Sequence, residues 1–203
     1  MGINQVEVDT HWNYFLSLEE DFLRVSRYVH FNISNNKTHS IEFARIILSV
    51  GSEVDVVAKG ISKEISGKAT ENIKEHMSTL LSKFPDIPKH KVFMDRFGMD
   101  VVPWENWENN KSPDWWHSYN NVKHNRGKHF QEANLENTFR AIAGLFILLV
   151  YYLRGMGAEI VRPSPSLLST DEALTNFDID TRSRIFILYS FDVFMEKRRD
   201  KSK

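Results

Sequence analysis

Apolar side chains recur at helical spacing through most of this chain, and five stretches of that kind define it. Phe15, Leu18, Phe22, Val25 and Val29 keep a three-to-four-residue interval and predict an amphipathic helix over about 10–30, with Asp9 or Thr10 as its cap. A polar loop over 32–38 follows. The stripe Phe43, Ile47, Val50, Val54, Val57, Ile61, Ile65 predicts a second helix over about 40–65, ended by Ser66-Gly67. Gly51 lies off that stripe, where it weakens the helix a little and permits close packing. A third helix is expected from about Thr70 to Phe84, stopping before Pro85 and Pro88, because the residue ahead of a proline is pushed out of helical geometry.

Residues 90–111 change character. Val92, Phe93, Phe97, Val101, Val102, Trp104 and Trp107 are β-prone or aromatic and Gly98 marks a turn, so a small hairpin or irregular insertion is expected within about 86–111. A short helix follows over 112–126, with Ser112 as N-cap, Pro113 at the first helical position and Gly127 past its end. The fifth stretch, about Asn134 to Arg154, is apolar nearly all round, as a central bundle helix must be. Pro163 to Thr170 reads as a loop, and Arg184 to Phe194 as a strand or a short helix. The fold expected is mainly α: a helical bundle of about five helices over 1–157, carrying the small insertion, with a C-terminal extension over 158–203 packed on it or loosely attached.

Composition narrows the chemistry. The chain has 203 residues and no cysteine, which excludes disulfides, thiolate zinc sites and a cysteine nucleophile and suits a reducing cytoplasm. No basic segment followed by an apolar run opens the sequence, and Val6 stands where a myristoylation signal would need Ser or Thr. The longest apolar run, Ala141 to Leu153, falls short of the roughly 20 residues of a membrane span, so no membrane partner is expected. The formal net charge is −1, so nucleic acid would be recruited only by local patches. Lys123, Arg126 and Lys128 form one; Lys197, Arg198, Arg199, Lys201 and Lys203 form another, read as a solvated tail.

The 112–126 helix is the candidate site. His117, Asn120, Asn121 and His124 fall at i, i+3, i+4 and i+7 and share one face, with Lys123 and Arg126 beside them; Trp115, Trp116, Tyr119 and Val122 supply an apolar flank. That polar face is expected where a core-facing helix normally places leucine. A histidine can take and return a proton near neutral pH, as RNA cleavage requires, and Arg126 or Lys123 could stabilise charge on a phosphorane. The alternative is that His124 and the asparagines bond the backbone of the 90–111 insertion and hold it in place. No metal is expected: His117 and His124 lie roughly 10 Å apart along the helix, and no carboxylate is evidently paired with His129. Glu53, at the edge of a buried stripe, needs a partner: a salt bridge to Arg140 or a helix-1 residue, or a place beside His124. Asp55 and Lys59 read as a solvated face. Trp104, Trp107, Trp115 and Trp116 are read as packing rather than as a base-stacking platform.

An all-α bundle whose late helix carries Asn120-Asn121-Val122-Lys123-His124 resembles the HEPN superfamily of prokaryotic defence and toxin proteins over roughly residues 10–155. Their motif is an arginine, four to six residues, then a histidine, often with a polar residue directly after the arginine. The resemblance implies a catalytic His124 with Asn120 as that polar residue, a homodimer with a composite site, and metal-independent RNA cleavage without a cofactor. Tyr119 occupies the arginine position, so Arg126 or Lys123 would supply the charge, with Lys128, Asn121, His117, Tyr119 and Glu53 as binding or supporting residues. RNA, a second copy and an antitoxin or regulatory protein are the partners implied. The other reading is a non-catalytic interaction module in which the polar helix is a docking surface or a structural network.

Overall fold

The computed structural model describes residues 9–157, 160–161, 163–171, 175–176 and 186–188. Five α-helices form the body: α1 Thr10–Val25, α2 Ile41–Ser66, α3 Ile73–Lys83, α4 Asp114–His129 and α5 Leu135–Gly155. The mainly helical class expected from the apolar pattern is the class observed. Four starts carry the caps their sequences offer. The side chains of Asp9, Ser40, Asn72 and Asn134 each accept a backbone N–H from the first turn, satisfying donors a helix leaves unpaired. At the end of α2, Gly67 adopts φ 72°, a left-handed cap that glycine takes without a Cβ penalty. Two expected helices are longer than the observed ones: α1 ends at Val25 and α3 begins at Ile73.

The core lies around α5. Its residues from Ala141 to Tyr151 are all buried, and α1, α2 and α4 pack against it. Phe15 stacks on Phe146 at 5.4 Å and Phe22 on Phe139 at 6.3 Å, so aromatic pairs tie α1 to α5 along its length. By length and composition α5 is apolar enough to cross a membrane, yet most of it is buried inside the bundle. Gly51 shows why close packing mattered: a Cβ there would lie 2.4 Å from the Tyr119 ring, so α4 meets α2 through a glycine.

The insertion is a hairpin. β1 Val92–Met94 and β2 Met99–Val101 pair antiparallel, Val92 opposite Val101, with Gly98 at φ 59° in the turn. Behind it Trp104, Trp107 and Trp115 are buried; Trp104 donates its indole N–H to the Gly144 carbonyl and Trp115 to that of Pro103. All three are core residues, although the buried Trp107 indole N–H has no hydrogen-bond partner among the described residues.

After α5 come β3 Ile160–Val161, β4 Ser169–Thr170, β5 Thr175–Asn176 and β6 Phe186–Leu188. β4 adds to β1 as a third strand, so the stretch expected as a loop over 163–170 ends in a strand. β6 pairs with β3 and β5, so within 184–194 the described residues are strand; the remainder of that segment lies outside the described residues, as do Lys197 to Lys203. Residues 163–171 are fastened to the bundle. Trp12 donates its indole N–H to the Pro163 carbonyl at 2.9 Å, and Lys91 its backbone N–H to Asp171 at 3.0 Å. The Glu19 carboxylate, 1% exposed, accepts the backbone N–H groups of Ser166, Leu167 and Leu168 at 2.7, 3.0 and 2.9 Å. A buried carboxylate is tolerated there because successive amides surround it.

Candidate functional site

α4 is two structures in one. Its first half buries Trp115, Trp116, Tyr119 and Val122, the apolar flank read from the sequence. Its N-cap is Pro113 rather than Ser112: the helix begins at Asp114, and no side chain caps it. Its second half runs past the expected stop at Gly127 to His129, and Asn125 breaks it with φ −147° and ψ 57°. Gly127 meets open space and needs no left-handed backbone, so nothing forces the helix to stop there.

The polar face does not look into the core. His117 and His124 are exposed, as are Lys123, Arg126 and Lys128. Tyr119 and its neighbours turn inward to fill the α2–α5 groove, and the opposite face is left to water. Neither asparagine reaches the 90–111 insertion. Asn120 donates its side-chain amide back to the Trp116 carbonyl at 2.9 Å, and Asn121 donates to Glu132 at 3.0 and 3.2 Å. Lys123 extends over the Tyr119 ring at 5.4 Å, its ammonium 3.3 Å from the phenol oxygen. Among the described residues Lys123, Arg126 and Lys128 meet no carboxylate, and His124 has no hydrogen-bond partner.

Glu132, which sequence reasoning passed over, organises the end of this helix. His129 does have a carboxylate: its Nδ1 lies 2.6 Å from Glu132 Oε1. Asn121 bonds both Glu132 oxygens, and Asn137 bridges the Ser118 hydroxyl and the Glu132 backbone carbonyl. Burial opposes ionisation of Glu132, but hydrogen bonds from Asn121, His129 and Ser118 outweigh it and hold the carboxyl below its usual range. The signal available in sequence was the His129-x-x-Glu132 spacing, which puts the two side chains on one turn.

Glu53 has the helix-1 partner expected of it, His11, and among the described residues no hydrogen bond or ion pair joins it to His124. Arg140 instead bonds Glu105 at 2.8 Å and lies 3.7 Å from Glu136. Asp55 and Lys59 are not merely a solvated face. Asp55 holds Lys59 and also Nε2 of His76 at 3.0 Å; His76 is fully buried, and its Nδ1 meets the Thr70 hydroxyl, which lies 3.0 Å from Ser62 Oγ. Burial lowers the His76 pKa against the pull of Asp55, so the ring is neutral, with Nε2–H toward Asp55. Burial also presses His90 down to about 4, and its Nε2 faces the Tyr151 hydroxyl at 2.7 Å.

A cleft of about 460 Å³ lies at the ends of α2, α3 and α5, walled by Ile61, Ile65, Phe84, Tyr151, Tyr152 and Met156; none of the α4 residues borders it. Among the described residues no three His, Asp or Glu side chains gather as a metal ion would require. Comparison with protein-family models, curated proteins and solved structures returns no match.

Proposed function

We propose that this chain is a HEPN-like helical-bundle protein of the defence or toxin type that contacts RNA through the exposed end of α4. The observation that carries this reading is the placement of Lys123, Arg126 and Lys128: three exposed cations on one broken helix end, unpaired with any carboxylate among the described residues. Cations that no carboxylate neutralises are available to phosphates, and each phosphate they contact adds affinity that salt weakens. The part of α4 before the break, which carries Lys123, is anchored from below by the Tyr119 ring on Gly51. A HEPN-like homodimer would present two such faces, and sedimentation velocity tests that part of the proposal.

Catalysis centred on His124 has less behind it. Among the described residues no side chain orients that ring, Asn120 is committed to its own helix, and the position of the family's arginine is a buried tyrosine. Fluorescence anisotropy with labelled single-stranded RNA tests the binding reading. The variant K123A/R126A/K128A should bind more weakly and with a shallower salt slope, by roughly 0.7 for each phosphate of a single strand that is no longer neutralised. A triple variant that binds as tightly as wild type would remove the reading in favour of a docking module for protein.

A further inference from the structure

We propose that His129 and Glu132 are a general-base pair for RNA cleavage at the end of α4, in the role that the motif resemblance assigns to His124. The inference rests on the reading of this helix end as an RNA-contacting face. A working base needs a lone pair not already used inside the fold and a group that fixes the ring. His129 has both. Its Nδ1 lies 2.6 Å from a Glu132 oxygen, and a carboxylate that already receives Asn121 and Ser118 is ionised and can only accept. The proton of a neutral His129 ring therefore sits on Nδ1, and Nε2 carries the lone pair. Nε2 makes no hydrogen bond among the described residues, and the His129 side chain is 35% exposed.

His124, by comparison, is exposed with no orienting partner among the described residues, so nothing there distinguishes its two tautomers. The carboxylate is fixed as well as the ring. Asn121 comes from the helix before the break at Asn125 and Glu132 from the turn after it, so their bond spans the break, and Arg126 and Lys128 lie in the segment between them.

The chemistry balances without metal or redox partner. A ribose 2′-oxygen attacks the adjacent phosphorus while its proton passes to His129 Nε2. The bond from phosphorus to the 5′ oxygen breaks, and that oxygen is protonated from solvent, which later recovers the proton held by His129. The products are a 2′,3′-cyclic phosphate and a 5′-hydroxyl end. Arg126 and Lys128 stabilise the charge that builds on the phosphorane oxygens.

The test uses the full chain in EDTA with a short single-stranded RNA labelled at both ends, its all-2′-deoxy counterpart, and anisotropy in parallel. Wild type is expected to cleave the RNA and leave the deoxy strand intact. His129→Ala should lose about 100-fold in rate, the lower end of what a positioned acid or base contributes, and added imidazole should restore part of it. Glu132→Gln should lower kcat with RNA affinity retained, and His124→Ala should lose far less than His129→Ala. If His129→Ala fails to fold, His129→Gln, which keeps a donor toward Glu132, makes the same comparison. Wild type that binds RNA without cleaving it overturns the base pair and leaves the binding reading standing. A rate that falls in His124→Ala and is retained in the His129 variant also overturns it. Absence of RNA binding removes the binding reading and the pair together.

Discussion

Two polar clusters in this protein use nearly the same parts and differ in access to water. Beneath α3, Ser62, Thr70, His76 and Asp55 form a chain of hydroxyl, imidazole and carboxylate in which the ring is fully buried. At the end of α4, Ser118, Asn121, His129 and Glu132 assemble another, with the ring 35% exposed. The first joins two helices and its loop, and no substrate can reach the imidazole. The second leaves one imidazole nitrogen without a hydrogen-bond partner among the described residues, on a segment that also carries exposed cations. A histidine with an orienting carboxylate is thus an ambiguous sign on its own; what distinguishes a structural link from a candidate site is whether the remaining nitrogen is enclosed.

The largest test of that distinction is removal of each ring. His76→Ala leaves Asp55 and Thr70 without their buried partner and opens a cavity, at a cost of about 3 kcal/mol in urea unfolding. The same change at His129 should cost about 1 kcal/mol or less, because water replaces the missing bonds. Equal costs would erase the contrast. Gly51→Ala comes next, at about 2 kcal/mol, since its Cβ would overlap the Tyr119 ring and push α4 off α2. This change should weaken RNA binding as well, because the open cluster depends on the buried half of its own helix.

Acid should separate the clusters more gently. The folded pKa of His76 lies below its ordinary 6.5 through burial, so its neutral form contributes stability in full above 6.5, and that contribution is lost as pH falls below it. His90 acts in the same direction, with its loss complete only near its folded value of about 4. Urea midpoints should therefore fall between about pH 7.5 and about pH 5, and His76→Gln should flatten the change. His124→Ala is the smallest effect, within about 0.5 kcal/mol of wild type, as suits an exposed ring without a partner.

The helices other than α4 were legible because they depend on local periodicity and caps that the chain displays openly: the stripe from Phe43 to Ile65, and Ser40 or Asn134 at a start. The side to which α4 turns its polar face was not. Two faces of comparable width compete on that helix, and the outcome depends on Gly51, sixty-eight residues before Tyr119, making room for an aromatic ring. The sealed cluster was hidden for a similar reason. Asp55 looks like any exposed helical carboxylate until α3 folds across it and brings His76, twenty-one residues later, to its side. Glu132 was within reach of a local reading, since its partner His129 is only three residues away, but both lie beyond the motif that ends at His124.

Glu19 sets a condition on the order in which the molecule can be finished. Its carboxylate belongs to the first helix, while its amide donors begin 147 residues later. At a synthesis rate of about 5–20 residues per second, that interval is roughly 7 to 30 seconds. Throughout it, a nascent bundle that closed on α1 would enclose Glu19 without the amides that surround it in the finished fold, which exist only once Leu168 has been made.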